Sequence, residues 1–543
     1  MTRVTRTCHP FDGQKPGTSG LRKKTRVFMQ PGYLECFVQS TFNAIGGVAG
    51  KTLVIGGDGR FFNAEAIQTI LRMAAAGGAA AAIVGQNGLL STPAASNLIR
   101  RNKADGGLIL SASHNPGGVD ADFGLKYNIA NGGPAPEAVT DAIFTETTAI
   151  SEYHTLDTAD LDLAALGTVT LGAMQVRIVD PVADYAALMQ ELFDFDAIRD
   201  LIASGFSLKF DAMHAVTGPY ATAILEGLLG AAEGTVMNGV PSVDFGKGHP
   251  DPNPIWAKPL VDLVMSDAGP DFAAASDGDG DRNMILGRGI YVTPSDSLAV
   301  LAANAHLAPG YAGGLAGVAR SMPTSQAADR VAEALGLDCY ETPTGWKFFG
   351  NLLDAGRVTL CGEESAGTGS DHVREKDGLW AVLLWLNILA ARRISVRDIL
   401  QDHWARFGRN YYSRHDYEAI EPDRANALIT DLVARLPDLP GQQAGSARIT
   451  AAGQFSYHDP VDGSVSHNQG LRIVLNGGGR AVLRLSGTGT EGATLRIYLE
   501  RYMPPGGDLG IETQTALHDI NTGLKSLIGL EEHTGRTEPD VMT

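Results

Sequence analysis

Short apolar runs that end in polar, glycine-containing loops recur along the first part of the chain. Thr52 to Ile55 is a β-branched and apolar run that ends in GGDGR, and the alanine-rich stretch Asn63 to Ala76 has the pattern of a helix. Ala81 to Val84 is a second apolar run, and Gly107 to Leu110 is a third that opens into SASHNPGG. This alternation predicts α/β units built of strand, loop and helix.

The same pattern restarts further along the chain. Ser207 to Asp211 begins a new unit, Phe272 to Ala275 opens into SDGDGDR, and Val358 to Cys361 opens into GEES. Three polar loops thus follow buried-looking strands, which is where open α/β sheets bind their ligands. Each loop by itself is also consistent with an ordinary turn.

The C-terminal part has a different pattern. Gln401 to Arg409 resembles a junction between domains, and few strand and helix patterns alternate after it. Leu471 to Leu475, the turn Gly477 to Gly479 and Ala481 to Leu485 predict a β-hairpin. We therefore expect a smaller α+β domain of antiparallel strands and helices.

Leu379 to Ala391 is the most apolar run of the chain, and it contains Trp380 and Trp385. A membrane-spanning helix needs about 20 apolar residues, so this run is too short. We predict a buried helix whose two tryptophans belong to the core.

Composition and charge restrict the function classes. The chain has 543 residues, enough for three or four domains at roughly 150 residues each. Its 43 basic and 61 acidic side chains give a net charge of −18, which argues against nucleic acid or anionic membranes as partners. The four cysteines form no CxxC pair, and no apolar stretch follows Arg3 and Arg6. These features predict a cytoplasmic protein.

Asp277, Asp279 and Asp281 alternate with glycines in DGDGDR, which allows three carboxylates to point at one place. Two unit charges about 4 Å apart repel by about 4 kcal/mol at an effective dielectric of 20, so a hard divalent cation would relieve the conflict. An EF-hand from Asp277 would need Gly and Glu where the chain has Arg282 and Arg288. A magnesium site and a solvated acidic turn remain open. Arg282 favours the former, because it could face a phosphate.

Three other loops carry candidate chemistry. SASHNPGG contains Ser113 and His114, a possible nucleophile and base, although neighbouring side chains usually point apart. SGTGT, Ser486 to Thr490, has the backbone donors and hydroxyls of a phosphate-binding turn, with Arg484 and Arg496 nearby. GEESAGTGSDHVREKDG has the density of polar groups that suits a polyhydroxylated ligand. Each motif also has a purely structural alternative. SASHNPGG is consistent with an ordinary turn, SGTGT with a glycine-rich loop, and the GEES segment with a surface loop held by salt bridges.

The ordered set of motifs resembles the α-D-phosphohexomutase family over nearly the whole chain. The motifs are KPGTSGLR, SASHNPGG with DFGLKYN, SDGDGDRNMILG, TPSDS, RSMPTS, TPTGWKFFGN, GEES with the extension GTGSDHVREKDGLWA, and SGTGT with GATLR. The GEES form and its extension point to the branch that acts on glucose phosphates, and away from the phosphomannomutase and phosphoglucosamine branches.

The resemblance implies three related α/β domains with mixed sheets and a C-terminal α+β domain around a central cleft. We expect residues 1–187 to carry the serine loop, 188–292 the metal-binding loop, 293–407 sugar recognition and 408–543 phosphate binding. The implied ligands are hexose phosphates, Mg²⁺, and glucose 1,6-bisphosphate as intermediate and activator. The implied state is a monomer or weak dimer.

The resemblance also implies roles for individual residues. Ser113 would be the phosphoserine, and Asp277, Asp279 and Asp281 would hold Mg²⁺ together with an oxygen on Ser113. Arg22 and Lys126 would neutralise charge, while His114 and Lys376 would handle protons in an order that the sequence leaves open. The implied substrate-binding residues are Thr18, Arg282, Thr344, Gly345, Glu363, Ser365, Arg484, Ser486, Gly487, Thr488 and Arg496.

The implied reaction is the reversible interconversion of glucose 1-phosphate and glucose 6-phosphate through phosphoserine and glucose 1,6-bisphosphate. The alternatives are another hexose specificity, such as phosphomannomutase, an aspartyl-phosphate phosphatase that uses the DGDGD loop, and an inactive scaffold. Two positions depart from the family pattern: Ser111 replaces a usual Thr, and Glu491 replaces a small neutral residue. We expect Glu491 to face solvent.

Overall fold

The computed structural model describes residues 2–17, 19–489 and 492–543. These residues form two compact units. The first unit comprises Met1–Pro294, Asn304–Ala316 and Gly345–Val396, and the second comprises Ser295–Ala303, Gly317–Thr344 and Arg397–Thr543.

The N-terminal region of the first unit is an α/β arrangement. Its elements are β1 (Thr2–Thr7), β2 (Leu21–Lys24), α1 (Thr25–Phe28), α2 (Tyr33–Ala44), β3 (Thr52–Gly57), α3 (Asn63–Ala76), β4 (Ala81–Leu89), α4 (Thr92–Arg101), β5 (Gly106–Leu110), β6 (Asp122–Ile129), α5 (Glu137–Ala149), β7 (Glu152–Asp157), β8 (Gly167–Leu171), β9 (Met174–Val179), α6 (Ala183–Leu192) and α7 (Phe195–Ala203).

Seven of these strands form a mixed sheet in the order β2-β6-β5-β3-β4-β9-β8. The central strands β5, β3, β4 and β9 are parallel, whereas β2, β6 and β8 join antiparallel. Strands β1 and β7 form a separate antiparallel ribbon. All five residues of β5 are buried, which is why its sequence is a continuous apolar run without alternation.

The next region of the chain contains a second mixed sheet. Its elements are β10 (Leu208–Asp211), α8 (Thr217–Ala221), a π-helix (Thr222–Leu228), β11 (Val236–Met237), α9 (Lys258–Met265), β12 (Phe272–Ser276), β13 (Asn283–Gly287) and β14 (Ile290–Val292). The strand order is β11-β10-β12-β13-β14. Strand β10 is parallel to β11 and β12, and the remaining pairs are antiparallel.

The following elements alternate again between helix and strand. They are α10 (Pro294–Asn304), β15 (Gly317–Ser321), α11 (Ala327–Leu335), β16 (Asp338–Thr342), α12 (Lys347–Asp354), β17 (Leu360–Gly362), β18 (Thr368–Ser370), α13 (Gly378–Arg392) and α14 (Val396–Phe407). Strands β15 and β16 are parallel, and β17 and β18 are antiparallel.

The C-terminal elements of the second unit form an antiparallel sheet with helices. They are β19 (Arg409–Ile420), α15 (Pro422–Arg435), β20 (Gln443–Ala444), β21 (Ala447–Gln454), β22 (Tyr457–His458), β23 (Val465–Ser466), β24 (Leu471–Leu475), β25 (Arg480–Gly489), β26 (Gly492–Met503), α16 (Thr513–Leu527), α17 (Leu530–Thr534) and β27 (Val541–Met542). The order of the main sheet is β20-β21-β24-β25-β26-β19-β27.

Helix α13 shows why the apolar run was correctly predicted as core. Trp380 and Trp385 are completely buried, and nearly every other side chain of the helix is buried too. A helix that is apolar on all faces must be covered on all faces. No single helix among the described residues has the length and apolarity of a membrane span.

Most predicted elements are confirmed, including α3 and the hairpin of β24 and β25. Three predictions need correction. The strand predicted at Val358 to Cys361 is β17, which begins at Leu360. The loop predicted after GEES contains strand β18, which pairs with β17. The glycine-rich turn predicted at SGTGT is strand through Gly489, because β25 continues its pairing with β26 across a register shift.

Candidate active site

The serine loop, Ser111–Gly118, begins where β5 ends and places Ser113 in a buried position. Ser113 has a φ of +52°, a left-handed backbone conformation that residues other than glycine seldom adopt. Its N–H donates to Ser111 Oγ at 2.7 Å, and its carbonyl accepts from Arg60 Nη2 at 2.8 Å. These two bonds hold the strained turn that presents the Ser113 hydroxyl.

The acidic loop, residues 277–282, follows β12 and meets the serine loop. Asp277, Asp279 and Asp281 are all buried, and one oxygen from each lies within 4.8 Å of the others. Ser113 Oγ donates to Asp277 Oδ2 at 2.8 Å. The other oxygen of Asp277 accepts from the N–H groups of Asp281 and Arg282, at 2.9 and 3.0 Å. The structure therefore brings together the predicted phosphoserine and the predicted metal ligands.

The acidic loop has the electrostatics of a cation site. Burial, together with the charges of Asp281 and Asp279, raises the pKa of Asp277 well above its usual range. Burial also opposes ionisation of Asp279, but the charge of Lys126 and a hydrogen bond from Thr92 hold the pKa of Asp279 below its ordinary value. Asp279 Oδ1 and Asp281 Oδ1 are buried without a hydrogen-bond partner among the described residues. Hard oxygen donors of this kind fit a divalent cation.

His114 lies closer to Ser113 than neighbouring side chains usually do. Its Nδ1 is 3.4 Å from Ser113 Oγ, and the backbone at Ser113 is left-handed, which differs from the extended backbone that points neighbouring side chains apart. Its ring also stacks at 6.3 Å on that of His249. Burial lowers the pKa of His114 well below its usual value, and the charges of Arg282 and Arg22 lower it further. This pair therefore departs from the usual arrangement, in which neighbouring side chains point apart.

Two lysines reach the acidic loop from different elements. Lys126 Nζ, on β6, is 3.4 Å from Asp279 Oδ2 and 3.7 Å from Glu375 Oε1. Burial opposes its charge, but Glu375 and Asp279 raise the pKa of Lys126 above its usual value. Lys376 Nζ is 3.2 Å from Asp281 Oδ2. Each lysine thus neutralises a different carboxylate of the loop.

Two arginines complete the charged surroundings. Arg22 lies on β2; burial lowers the pKa of its guanidinium, and its Nε has no hydrogen-bond partner among the described residues. Arg282 Nη1 is 3.3 Å from Asp251 Oδ1. Burial opposes the charge of Arg282, but Asp251 and Asp277 raise the pKa of its guanidinium. Both groups therefore carry positive charge that an anionic substrate could use.

The GEES loop, residues 362–365, contacts Gly345, and the two residues after it contact the end of the acidic loop. Glu363 Oε1 accepts from the N–H of Gly345 at 2.9 Å. Arg282 forms a β-bridge with Gly367, and the N–H of Asn283 donates to the carbonyl of Ala366 at 3.0 Å. Ser365 is half-buried in the same loop. In the second unit, the hydroxyl of Thr344 is buried without a partner among the described residues.

The second unit carries the predicted phosphate-binding arginines on adjacent strands. Arg484 on β25 lies directly opposite Arg496 on β26, and Arg496 lies opposite Asp416 on β19. Asp416 makes ion pairs with Arg496 at 3.4 Å and with Arg414 at 3.1 Å. Like charges opposite each other destabilise a sheet, and a bound anion would relieve that cost. Ser486 Oγ donates to the carbonyl of Thr494 at 3.3 Å.

Some predicted positions lie outside the description. Thr18 and Glu491 are not among the described residues. Gly487 and Thr488 are described only by their place in the backbone of β25. Their assignments, and the expectation that Glu491 faces solvent, therefore stay predictions.

Several residues that support the site were not predicted. Arg60, fully buried, makes a 2.9 Å ion pair with Asp58 and also donates to the carbonyls of Ser113 and Asp122. Thr92 Oγ1 donates to Asp279 Oδ2 at 2.6 Å. A sequence signal for Arg60 was available, because Asp58 to Arg60 directly follow β3, and β3 is parallel to β5 in the sheet. Parallel strands end at the same edge, which is where the serine loop also begins.

Comparison with known proteins gives the family. Sequence models of phosphoglucomutase/phosphomannomutase alpha/beta/alpha domains I, II and III match residues 13–154, 183–289 and 294–407. A model of the phosphoglucomutase-1 C-terminal domain matches residues 409–540. The chain belongs to the phosphoglucomutase/phosphomannomutase family. The predicted three α/β domains with mixed sheets and a different C-terminal domain are thereby confirmed.

Relatives within this family match over nearly the whole chain. A protein from Rhizobium radiobacter named phosphoglucomutase is 63% identical over 534 residues, which is 98% of each chain. A chloroplastic phosphoglucomutase of Arabidopsis thaliana is 52% identical, covering 98% of this chain and 88% of its own. A probable cytoplasmic phosphoglucomutase of the same plant is 51% identical, with 98% of both chains covered.

Solved structures agree with the family assignment. The open form of pp63/parafusin, a phosphoglucomutase from Paramecium, superposes with a TM-score of 0.93 at 48% identity and covers 100% of this chain and 99% of its own. A phosphomannomutase from Thermus thermophilus, described as putative in its structure's name, has a TM-score of 0.70 at 21% identity, which shows a shared fold.

Proposed function

We propose that the chain is an isomerase that reversibly converts α-D-glucose 1-phosphate into glucose 6-phosphate, with Ser113 as the phosphoryl carrier. The observation that carries this proposal is the 2.8 Å hydrogen bond from Ser113 Oγ to Asp277 within the buried carboxylate trio. A nucleophile beside a cation site is what phosphoryl transfer needs. The relatives named phosphoglucomutase support the same activity.

The reaction consists of two transfers. Phosphorylated Ser113 gives its phosphoryl group to the C6 hydroxyl of glucose 1-phosphate: the bond from phosphorus to Ser113 Oγ breaks, a bond to the sugar oxygen forms, and the hydroxyl proton passes to a protein base. The product is glucose 1,6-bisphosphate. After reorientation, the bond from phosphorus to the C1 oxygen breaks and a bond to Ser113 Oγ forms. The proton of the Ser113 hydroxyl passes to a protein base, the C1 oxygen takes up a proton from a protein acid, and glucose 6-phosphate leaves.

The carboxylates of Asp277, Asp279 and Asp281 would hold Mg²⁺ together with an oxygen on Ser113. A bound Mg²⁺ would supply charge neutralisation at the transferring phosphoryl group. Two observations support this assignment: the buried oxygens of Asp279 and Asp281 without partners, and the convergence of three carboxylates beside Ser113. Lys126 and Arg22 add fixed positive charge from the protein.

His114 and Lys376 are the proposed proton handlers. His114 Nδ1 is 3.4 Å from Ser113 Oγ, close enough to exchange a proton with that oxygen after a small adjustment. Lys376 is held at Asp281 on another side of the acidic loop. These two positions support a role for both groups in proton transfer, in either order.

The remaining predicted residues would bind the sugar phosphate. Glu363, Ser365, Gly345 and Thr344 would recognise sugar hydroxyls, and the N–H of Gly345 already orients the Glu363 carboxylate. The phosphate that is not transferred would be bound by Arg484, Ser486, Gly487, Thr488 and Arg496, and Thr18 and Arg282 would contact the substrate. The opposed pair Arg484 and Arg496 supports an anion there.

We further infer a monomer or weak dimer in the cytoplasm, with neither nucleic acid nor membrane as partner. The net charge of −18 supports the exclusion of nucleic acid and membrane partners, and the free thiols of all four cysteines support the cytoplasmic location. The monomer or weak dimer rests on the family resemblance alone.

The test is an assay of glucose 1-phosphate isomerisation with and without Mg²⁺ and added glucose 1,6-bisphosphate. We expect activity that requires Mg²⁺ and rises with the bisphosphate, and an acid-stable phosphate on the peptide that contains Ser113. Preference for mannose 1-phosphate would indicate the other hexose specificity. Release of inorganic phosphate with an acid-labile acyl phosphate would indicate the phosphatase alternative and overturn the proposal.

A further inference from the structure

The segment between β18 and α13 contains two buried side chains to which the proposed reaction gives no role. The His372 side chain is 1% exposed and Asp377 is fully buried. His372 Nε2 is 3.0 Å from Asp377 Oδ2, and His372 Nδ1 is 2.7 Å from Ser370 Oγ. The histidine ring also stacks on Trp380 at 5.3 Å. The pair therefore joins the two ends of the segment.

The hydrogen bonds of this pair extend into a longer chain whose direction is determined by its ends. Trp380 Nε1 can only donate, and it reaches Tyr311 Oη at 2.7 Å. Tyr311 Oη is 2.6 Å from Ser370 Oγ. A carboxylate can only accept, so His372 Nε2–H donates to Asp377; in the neutral imidazole Nδ1 then accepts from the Ser370 hydroxyl. Every group in the chain then has a partner, which makes the arrangement rigid.

Asp377 has three further partners. Its Oδ1 accepts from the hydroxyl of Tyr185 on α6 at 2.6 Å, and from the N–H of Trp380 at 3.0 Å. The second bond caps the N-terminus of α13. The N–H of Asp377 donates to the carbonyl of Thr368 on β18 at 2.8 Å. Asp377 thus fixes the start of α13 to both β18 and α6.

Lys376 precedes Asp377 and points in the other direction, toward the acidic loop. Its Nζ is 3.2 Å from Asp281 Oδ2. The next residue but one, Gly378, donates its N–H to the carbonyl of Gly280 at 3.0 Å. A Cβ at Gly367 would lie 2.2 Å from Lys376 Cδ, so the lysine stem passes directly over a residue without a side chain. The place of Lys376 is therefore set by the backbone that Asp377 holds.

We infer that His372 and Asp377 are positioning residues that clamp Lys376 against Asp281. The inference rests on the proposed function, in which Lys376 handles a proton of the transfer. The clamp acts by keeping the peptide unit of Lys376 and Asp377 in one orientation. The ammonium group of Lys376 is then already placed beside the reacting oxygens, which lowers the entropic cost of the transfer.

The experiment compares His372→Phe with the wild-type protein. Phe keeps a ring that can stack on Trp380 but removes both hydrogen bonds. Two readings are taken: kcat and KM for glucose 1-phosphate, and the rate at which trinitrobenzenesulfonate labels Lys376 relative to Lys126, measured on peptides by mass spectrometry. Lys126 is the internal reference because it is also buried and paired with the acidic loop, through Asp279. Its longer contact, at 3.7 Å, is with Glu375 of the segment, but Asn128 on β6 holds that carboxylate independently of His372 and Asp377.

We expect kcat to fall by about tenfold or more while KM changes by less than about twofold, and the labelling of Lys376 to rise severalfold relative to Lys126. Tyr185→Phe, which removes one partner of Asp377, should give the same pattern more weakly, and it decides the matter if His372→Phe does not fold. Tyr220→Phe is the matched control: it removes a buried hydroxyl whose ring contacts that of Tyr185, but Tyr220 makes no bond in the chain.

An unchanged labelling ratio, an equal rise for both lysines, or a freed Lys376 with unchanged kcat would overturn the inference. Failure of the proposed function is seen separately, because wild-type protein would then not isomerise glucose 1-phosphate at all, whereas the labelling ratio needs no activity.

Discussion

Ser113 Oγ donates a 2.8 Å hydrogen bond to Asp277 Oδ2, although 164 residues separate the two along the chain. The bond joins the loop after β5 to the loop after β12, which belong to two different sheets. Ser113, whose backbone is left-handed, thereby places its hydroxyl next to the three carboxylates of the acidic loop. The predictions below follow from this contact and its supports.

Ser113→Ala should abolish isomerisation, because among the described residues Ser113 supplies the hydroxyl bonded to Asp277 Oδ2. Binding of glucose 6-phosphate should stay measurable by calorimetry, since the proposed sugar and phosphate ligands are unchanged. Turnover near the wild-type rate would contradict the assignment of Ser113. Ser111→Ala is a useful comparison: it removes the acceptor of the Ser113 N–H and a hydrogen bond to the Asp58 carboxylate, but keeps the Ser113 hydroxyl, and should leave part of the activity.

Asp279→Ala should weaken binding of Mg²⁺ and lower kcat by about three orders of magnitude, because charge neutralisation at the phosphoryl group is worth several kcal/mol. Titration calorimetry with Mg²⁺ measures the first effect. Asp271→Ala is the control, since that residue precedes β12 at the opposite end of the strand. A change of only a few-fold would mean that the acidic loop is structural.

Arg60→Met should destabilise the protein by about 3 to 5 kcal/mol, because it leaves the buried carboxylate of Asp58 without its partner. Urea unfolding measures this loss. The double variant Asp58→Asn, Arg60→Met should recover part of the stability, but not the activity, since the carbonyl of Ser113 still lacks its donor. Equal losses in the single and double variants would show that the ion pair is not the cause.

Arg496→Ala should raise KM for glucose 1-phosphate about tenfold or more with little change in kcat, because a phosphate that is not transferred is bound alike in the ground and transition states. Initial rates over a range of substrate concentrations separate the two constants. Arg448→Ala, an exposed arginine on β21, is the control. A fall in kcat at unchanged KM would assign Arg496 to the chemical step.

Gly278→Ala should lower kcat, because the added Cβ would lie 2.3 Å from the carbonyl oxygen of Ser113 and would push the two loops apart. A displacement of about 1 Å at a reacting group can cost about 10²-fold in rate. The effect is checked by kcat together with the melting temperature. Gly313→Ala, whose added Cβ would meet nothing within 4 Å, should leave both unchanged.

The sequence by itself was sufficient for most of the strands, for helix α3 and for the order of the motifs, because local periodicity and glycine placement decide these features. It failed where pairing partners decide. Strand β18 exists because Thr368 to Ser370 pair with β17, and β25 extends through Gly489 because β26 lies beside it. Neither partner can be recognised from the residues of the strand itself.

The sequence also determined which side chains can do chemistry: one serine loop, one aspartate trio, and arginines around a glycine-rich segment. Only the tertiary structure decided that the Ser113 hydroxyl lies close to both His114 and Asp277. The same is true of the bond from Arg60 to the carbonyl of Ser113 and of the bond between His372 and Asp377. These relationships join residues from distant strands, and the distance between such residues depends on how the sheets pack, which no local pattern encodes.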